Sequence, residues 1–216
     1  MRSVLPIVLS LLSSPLAAQT SGAGRPGVRP LLAPDVEIPL ARSAAPASVS
    51  ARASVYVFTD EGFRLADSGS SDVACLVNRS WPTSLEPECF DREAARTIMR
   101  QDMKRTELYH RGASQQEADR LIADGLADGT FQLPTRPAVV YMMSAGQRLV
   151  SDDGRAVGKW RPHLMIYSPY LTNAAVGHHG EPGLSGGLVV DSGLPTANLM
   201  VVVPDFVKVP EASPDR

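Results

Sequence analysis

Two adjacent segments with helical periodicity, set between runs with strand periodicity, constrain this chain more than any other feature. In FDREAARTIMRQDMKRTELYHRG, Ala95, Ile98, Met99 and Met103 recur at helical spacing. Asp91 is placed to cap the start of this helix and Gly112 to end it. His110 and Arg111 fall in its last turn, where positive charge suits the helix dipole. A second helix is predicted to begin at SQQE, where Ser114 and Glu117 have capping-box spacing. Ala118, Leu121, Ile122 and Leu126 form its apolar stripe. Before the helices, ASVYVF, GFRLA and DVACLVN read as three short strands forming a meander. After them, AVVYMM reads as a central strand and QRLVSDDGRAVGKW as a hairpin about Asp153 and Gly154. HLMIYS, GLVVD and ANLMVVVP complete the set. Strands, two helices, then strands predict an α+β fold rather than alternating βαβ units. The expectation is a mostly antiparallel sheet of about six strands. The two helices would lie between its N-terminal and C-terminal strands.

The folded domain is expected over residues 53–209, with a loose tail over 210–216. Residues 1–18 have the layout of a secretory signal peptide: Arg2, an apolar run over 4–12, then small residues ending at Ala17 and Ala18. Residues 19–52 are rich in Pro, Ala, Ser and Gly and read as a flexible leader, with a short apolar patch over 36–40 as an edge segment. No later segment is long and apolar enough to span a membrane. A soluble, exported protein is expected, periplasmic or extracellular. Removing residues 1–18 leaves 20 basic residues against the 23 acidic ones, which argues against nucleic-acid binding. In an oxidising compartment the only two cysteines, Cys75 and Cys89, are expected to form a disulfide. Period two turns Cys75 inward with Val73 and Val77, and Cys89 is read as part of the following loop.

Two motifs are weighed and set aside. The stretch GLSGG, with Ser185, matches a nucleophile elbow, but a strand-like run follows the serine and no histidine occurs after residue 179. It reads as a turn leading into a strand. Arg92, Arg96, Arg100 and Lys104 recur every four residues and line one side of the first helix. Interleaved Asp91, Glu93, Asp102 and Glu107 favour a solvated, ion-paired face over a ligand site.

The stretch HLMIYSPYLTNAAVGHHG holds three of the four histidines. Period two puts His163, Met165 and Tyr167 on one face of a strand and Leu164 and Ile166 on the other. The Leu/Ile face is expected to meet the core. The His/Met/Tyr face becomes either a second packed layer or a pocket wall. The candidate ligand-binding residues are Tyr141, His163, Tyr167, Tyr170 and Asn173. If the polar loop folds back, His163 with His178 or His179 is a candidate metal site, with Glu181 or Asp191 supplying a carboxylate. Adjacent side chains on an extended backbone diverge, so His178 and His179 do not readily share one ion. Methionines 142, 143, 165 and 200 allow a thioether-rich copper site in principle.

From Tyr141 onward, YMMS (141–144), the PHLM-Y-P segment (162–169) and the apolar strand ending at Pro204 resemble a group of uncharacterised exported bacterial proteins. The resemblance implies an exported α+β domain and carries no activity or catalytic residue with it. Three functions are thus in competition. One is a non-catalytic module binding a small molecule beside His163. Another is a metal-binding protein or metal-dependent hydrolase. The last is a structural or interaction domain facing a partner in the cell envelope.

Overall fold

The structure is a computed structural model describing residues 31–79, 84–150, 156–179 and 188–210. The signal peptide, residues 19–30 of the leader, the turn at Asp153 and Gly154, Glu181, the 183–187 stretch with Ser185 and residues 211–216 lie outside the described residues. Two helices come first: α1 (Pro34–Arg42) and α2 (Ala47–Ser50). Strands β1 (Ser54–Thr59), β2 (Gly62–Asp67), β3 (Ala74–Asn78) and β4 (Glu86–Phe90) follow. Next come α3 (Arg92–Arg96), α4 (Ile98–His110) and α5 (Gln115–Ala127). The chain then forms β5 (Ala138–Met142), β6 (Leu149–Val150), β7 (Ala156–Gly158), β8 (His163–Tyr167), β9 (Leu188–Val190) and β10 (Asn198–Val202). Eight strands make one sheet in the order β2-β1-β3-β4-β5-β8-β10-β9, and β6 and β7 form a separate ribbon. Every pairing in the large sheet is antiparallel except β1 with β3. The α+β, mostly antiparallel expectation holds, with eight strands and five helices among the described residues rather than six and two.

Four local differences have physical causes. The first three strands are not a meander. After β2 the chain returns to the start of β1, where Ser70 and Ser71 donate backbone N–H groups to the Arg52 carbonyl, and β3 then runs parallel to β1. Cys89 lies in a strand, not a loop, and pairs directly with Cys75 across β3 and β4; the disulfide joins them there. The single helix expected from Asp91 is two. Thr97 leaves helical geometry (φ −119°, ψ −77°), and its hydroxyl donates to the Glu93 carbonyl at 2.6 Å. Such back-bonding bends helices. The Asp91 cap is present, with Oδ1 accepting from Ala94 N at 2.7 Å, and Ser114 caps α5 by accepting from Glu117 N.

The fourth difference concerns the leader. Residues 34–50 are not an extended segment but a helical layer on the sheet. Pro34 begins α1, where its missing N–H breaks no bond, and Asp35 and Glu37 face the positive end of the helix dipole. Leu40, Ala41, Ala44 and Ala45 are buried against Val55, Cys75, Val77 and Cys89. Ala41 in α1, with Ala44 and Ala45 just after it, lets this layer approach the disulfide closely. Glu37 is fully buried and meets the equally buried Arg79 at 3.2 Å, with Phe58 N donating to the same carboxylate oxygen. On the opposite face, Ala94, Ile98 and Met99 from α3 and α4 pack on Ala74, Leu76, Phe90, Ala138, Val140 and Met142. The helices pack on β1 to β5, and β8, β10 and β9 extend the sheet past them.

Candidate functional site

Where the helix layer gives way, one cavity of about 200 Å³ opens on the α4 side of the sheet. Its lining follows from strand periodicity and register. Alternate residues of a strand share a face. Asn78 ends β3, and Glu86 pairs with it from β4, with Glu88 two residues further along the same face. Met142 of β5 pairs with His163 of β8, and Met165 of β8 pairs with Met200 of β10. Tyr167 continues the β8 face, Asp102 reaches in from α4, and Trp160 comes from the stretch before β8. One wall therefore carries carboxyl groups and the other carries thioethers, an imidazole and aromatic rings.

The acid wall is held in an unusual state. Glu88 is buried, and Asn78 Nδ2 donates to its Oε1 at 3.2 Å while Oε2 has no hydrogen-bond partner. Burial first, then the charges of Asp102 and Glu86, push its carboxyl well above the usual carboxylate range. Burial likewise raises Asp102 to about 7, opposed by Arg105 and helped by Glu86. The Tyr167 phenol is pushed up by burial and then by the Asp102, Glu88 and Asp191 charges. On the other wall, burial lowers the His163 pKa and so favours the neutral imidazole, against the opposing effect of its hydrogen bond to Arg161. That bond joins Nδ1 to the Arg161 carbonyl at 2.6 Å. A carbonyl only accepts, so Nδ1 carries the proton and Nε2 keeps its lone pair.

Of the expected ligand-binding residues, His163 and Tyr167 line this cavity and the other three do not. Tyr141 points to the opposite face and packs with the disulfide cluster. Tyr170 is 61% exposed at a turn of positive φ (64°). Asn173 is a fastener: its Oδ1 accepts from Val189 N at 2.8 Å and ties the long loop to β9. His178 and His179 follow the short 3₁₀ turn Ala174–Val176 and are not among the cavity-lining residues. No group of three His, Cys, Asp or Glu side chains is placed to hold a metal ion among the described residues. The His163/Met165/Tyr167 face of β8 is a pocket wall, one of the two outcomes expected of it, whereas the Leu164/Ile166 face does not meet a described core cluster. All four of Leu164 to Tyr167 are half-buried, but only Met165 and Tyr167 pack onto the cluster under α3 and α4.

Reading the residues alone missed the acid wall. Its signal was present: Glu86 and Glu88 alternate in EPECF as residues on one strand face do. Pro87 and the two charges disguised that strand. The basic stripe, in turn, continues past the break at Thr97. Arg92 pairs with Asp72 and Arg96 with Glu93, and Arg96, Arg100 and Lys104 line a separate open groove with Tyr56, Phe63 and Phe131.

Comparison of the chain with protein-family models, with curated protein sequences and with solved structures finds no match. No helix among the described residues is long and apolar enough to cross a membrane.

Proposed function

We propose that this protein is an exported, non-catalytic binding module that takes a small cation into the cavity beside His163. One observation carries the reading. The buried Glu88 carboxyl lines the cavity with Oε2 unpartnered, next to Asp102 and Glu86, and a buried polar atom left without a partner costs about 1–3 kcal/mol. A positively charged ligand relieves that cost and favours the ionised acids, and the thioether and aromatic wall accommodates its less hydrated side. None of the cavity-lining residues is a serine, threonine, cysteine or lysine, so no such nucleophile stands beside the His163 imidazole, which fits a binding role. The Cys75–Cys89 disulfide and the layout of residues 1–18 support export.

The test is a thermal-shift and calorimetric screen of the purified chain against matched small cations, neutral molecules and anions. Cations should raise the melting temperature, and Glu88→Gln and Asp102→Asn should weaken that effect. A response confined to anions, or none in any class, refutes the reading. Export is checked separately by the mass of the protein recovered from the cell exterior or periplasm, expected to begin at Gln19.

A further inference from the structure

We propose that the cation is a soft monovalent metal ion, Cu(I) or its analogue Ag(I), held by the sulfurs of Met142, Met165 and Met200 and by Nε2 of His163. This rests on the cation-binding reading above and names its ligand class. The first ground is placement. Met142 and His163 are direct partners across β5 and β8, and Met165 and Met200 are direct partners across β8 and β10. His163 and Met165 are two residues apart on β8, so the four side chains step diagonally across three neighbouring strands on one sheet face, with His163 and Met165 at the centre and Met142 and Met200 at the two ends. All four line the same cavity. Directly opposed residues have Cβ atoms about 4.5–5.5 Å apart, so long, flexible methionine side chains can lean inward to a point between His163 and Met165, Met142 from one side and Met200 from the other.

The second ground is donor chemistry. Thioether sulfur is a soft, neutral ligand that selects Cu(I) over hard cations such as Mg²⁺ or Ca²⁺. Thiolate, the commoner soft ligand, is absent here, because both cysteines are locked in the disulfide on the sheet's other face. In an oxidising compartment thioethers remain available where thiols do not. The third ground is the arrangement around the ligands. Nδ1 of His163 donates to the Arg161 carbonyl, which fixes the tautomer and aims the basic Nε2 away from it, the outer-shell device that metal-ligating histidines use. The Tyr167 hydroxyl lies 3.8 Å from the Met165 sulfur and restrains it. Glu88 brings a compensating carboxyl to a site whose four ligands are all uncharged.

The predicted metal set keeps His163 and replaces His178 and His179 with methionines. The test is anaerobic titration of the purified chain with Cu(I) against a chromophoric Cu(I) chelator, with Ag(I) as a redox-inert second probe. One ion should bind per chain. Met165→Leu, Met200→Leu and His163→Gln should each weaken binding at least about tenfold. His178→Ala with His179→Ala should leave it unchanged. Copper absorption fine structure on the unmodified chain should show mainly sulfur scattering with one nitrogen ligand, a readout independent of how the variants fold. No uptake of Cu(I) or Ag(I), binding that survives the methionine changes, or binding lost with His178 and His179 overturns the inference. If neither metal binds but an organic cation binds in a Glu88-dependent way, only the metal assignment falls. If no cation of any kind binds, both readings fall.

Discussion

Asp102→Asn tests whether the acid wall is held at a cost to stability. Asp102 projects from α4 into the cavity. It faces Glu86 and Glu88 on β4, His163 and Tyr167 on β8, and Arg105 one turn along its own helix. Its pKa rises from an ordinary 3.8 to about 7, chiefly through burial. The native state thus holds a proton on this carboxyl that the unfolded chain has already released. The stabilisation this gives is complete below about pH 3.8 and is lost as the pH rises through about 7. At about 1.4 kcal/mol per pH unit the full displacement is worth about 4 kcal/mol, and solvent contact over part of the side chain screens it to roughly 2. Asparagine keeps the shape and cannot ionise. Urea unfolding of both proteins at pH 4, 6 and 8 should therefore give nearly equal stabilities at pH 4. At pH 8 the variant should be favoured by roughly 2 kcal/mol. The Glu88 pKa should fall as well, because the Asp102 charge is one of its causes. A difference between the two proteins that does not change with pH, or a variant weaker than the native chain at pH 8, would show that the carboxyl is not strained by burial.

Three further expectations concern the frame around the cavity. Glu37→Ala takes from Arg79 the carboxylate that it meets at 3.2 Å in a fully buried setting, and should cost about 3–5 kcal/mol in denaturant unfolding. A loss near zero would mean that α1 is not part of the cooperative unit. Replacing both cysteines by serine opens a link of sequence separation 14 and should lower stability by about 3 kcal/mol, with the added effect of reductant abolished. Asn173→Ala removes the side-chain acceptor for Val189 N and should cost about 1 kcal/mol. It should also sensitise residues 168–179 to proteases, and unchanged cleavage there would count against the fastening role.

The strands that read most clearly were those with β-branched or apolar alternation: β1, β2, β3, β5, β8 and β10 stand where periodicity places them. Helix α5 was legible down to its Ser114 cap. What escaped was decided by tertiary structure. Proline and alanine made residues 34–50 look like a linker, yet Pro34 starts a helix and the alanines are the small residues that its close packing needs. Strand β4 was hidden by Pro87, but the β4–β5 ladder involves only Cys89 and Phe90, and Pro87 lies beyond it. Hydrophobicity also assigned Leu164 and Ile166 to the core, where no described cluster includes them. Leu164 and Ile166 are the more apolar pair, but α3 and α4 cover the other face, and α1 packs on β1, β3 and β4. For the site, His163 and Tyr167 were found from one strand alone. Glu88 and Asp102 come from a disguised strand and from a helix face dense in charge, so only the assembled sheet brings them together.

The uneven helix cover makes the cavity a jaw with one fixed and one yielding side. Met142 and Glu88 stand on strands held from the α3 and α4 face, whereas Met200 stands on β10, outside every described core cluster. Local opening is cheapest where few apolar contacts hold the backbone, so the outer strands breathe more readily than β3, β4 and β5. A guest touching both sides would stitch β10 to the stiff half of the sheet, and its residence time would be set by how often those outer strands let go.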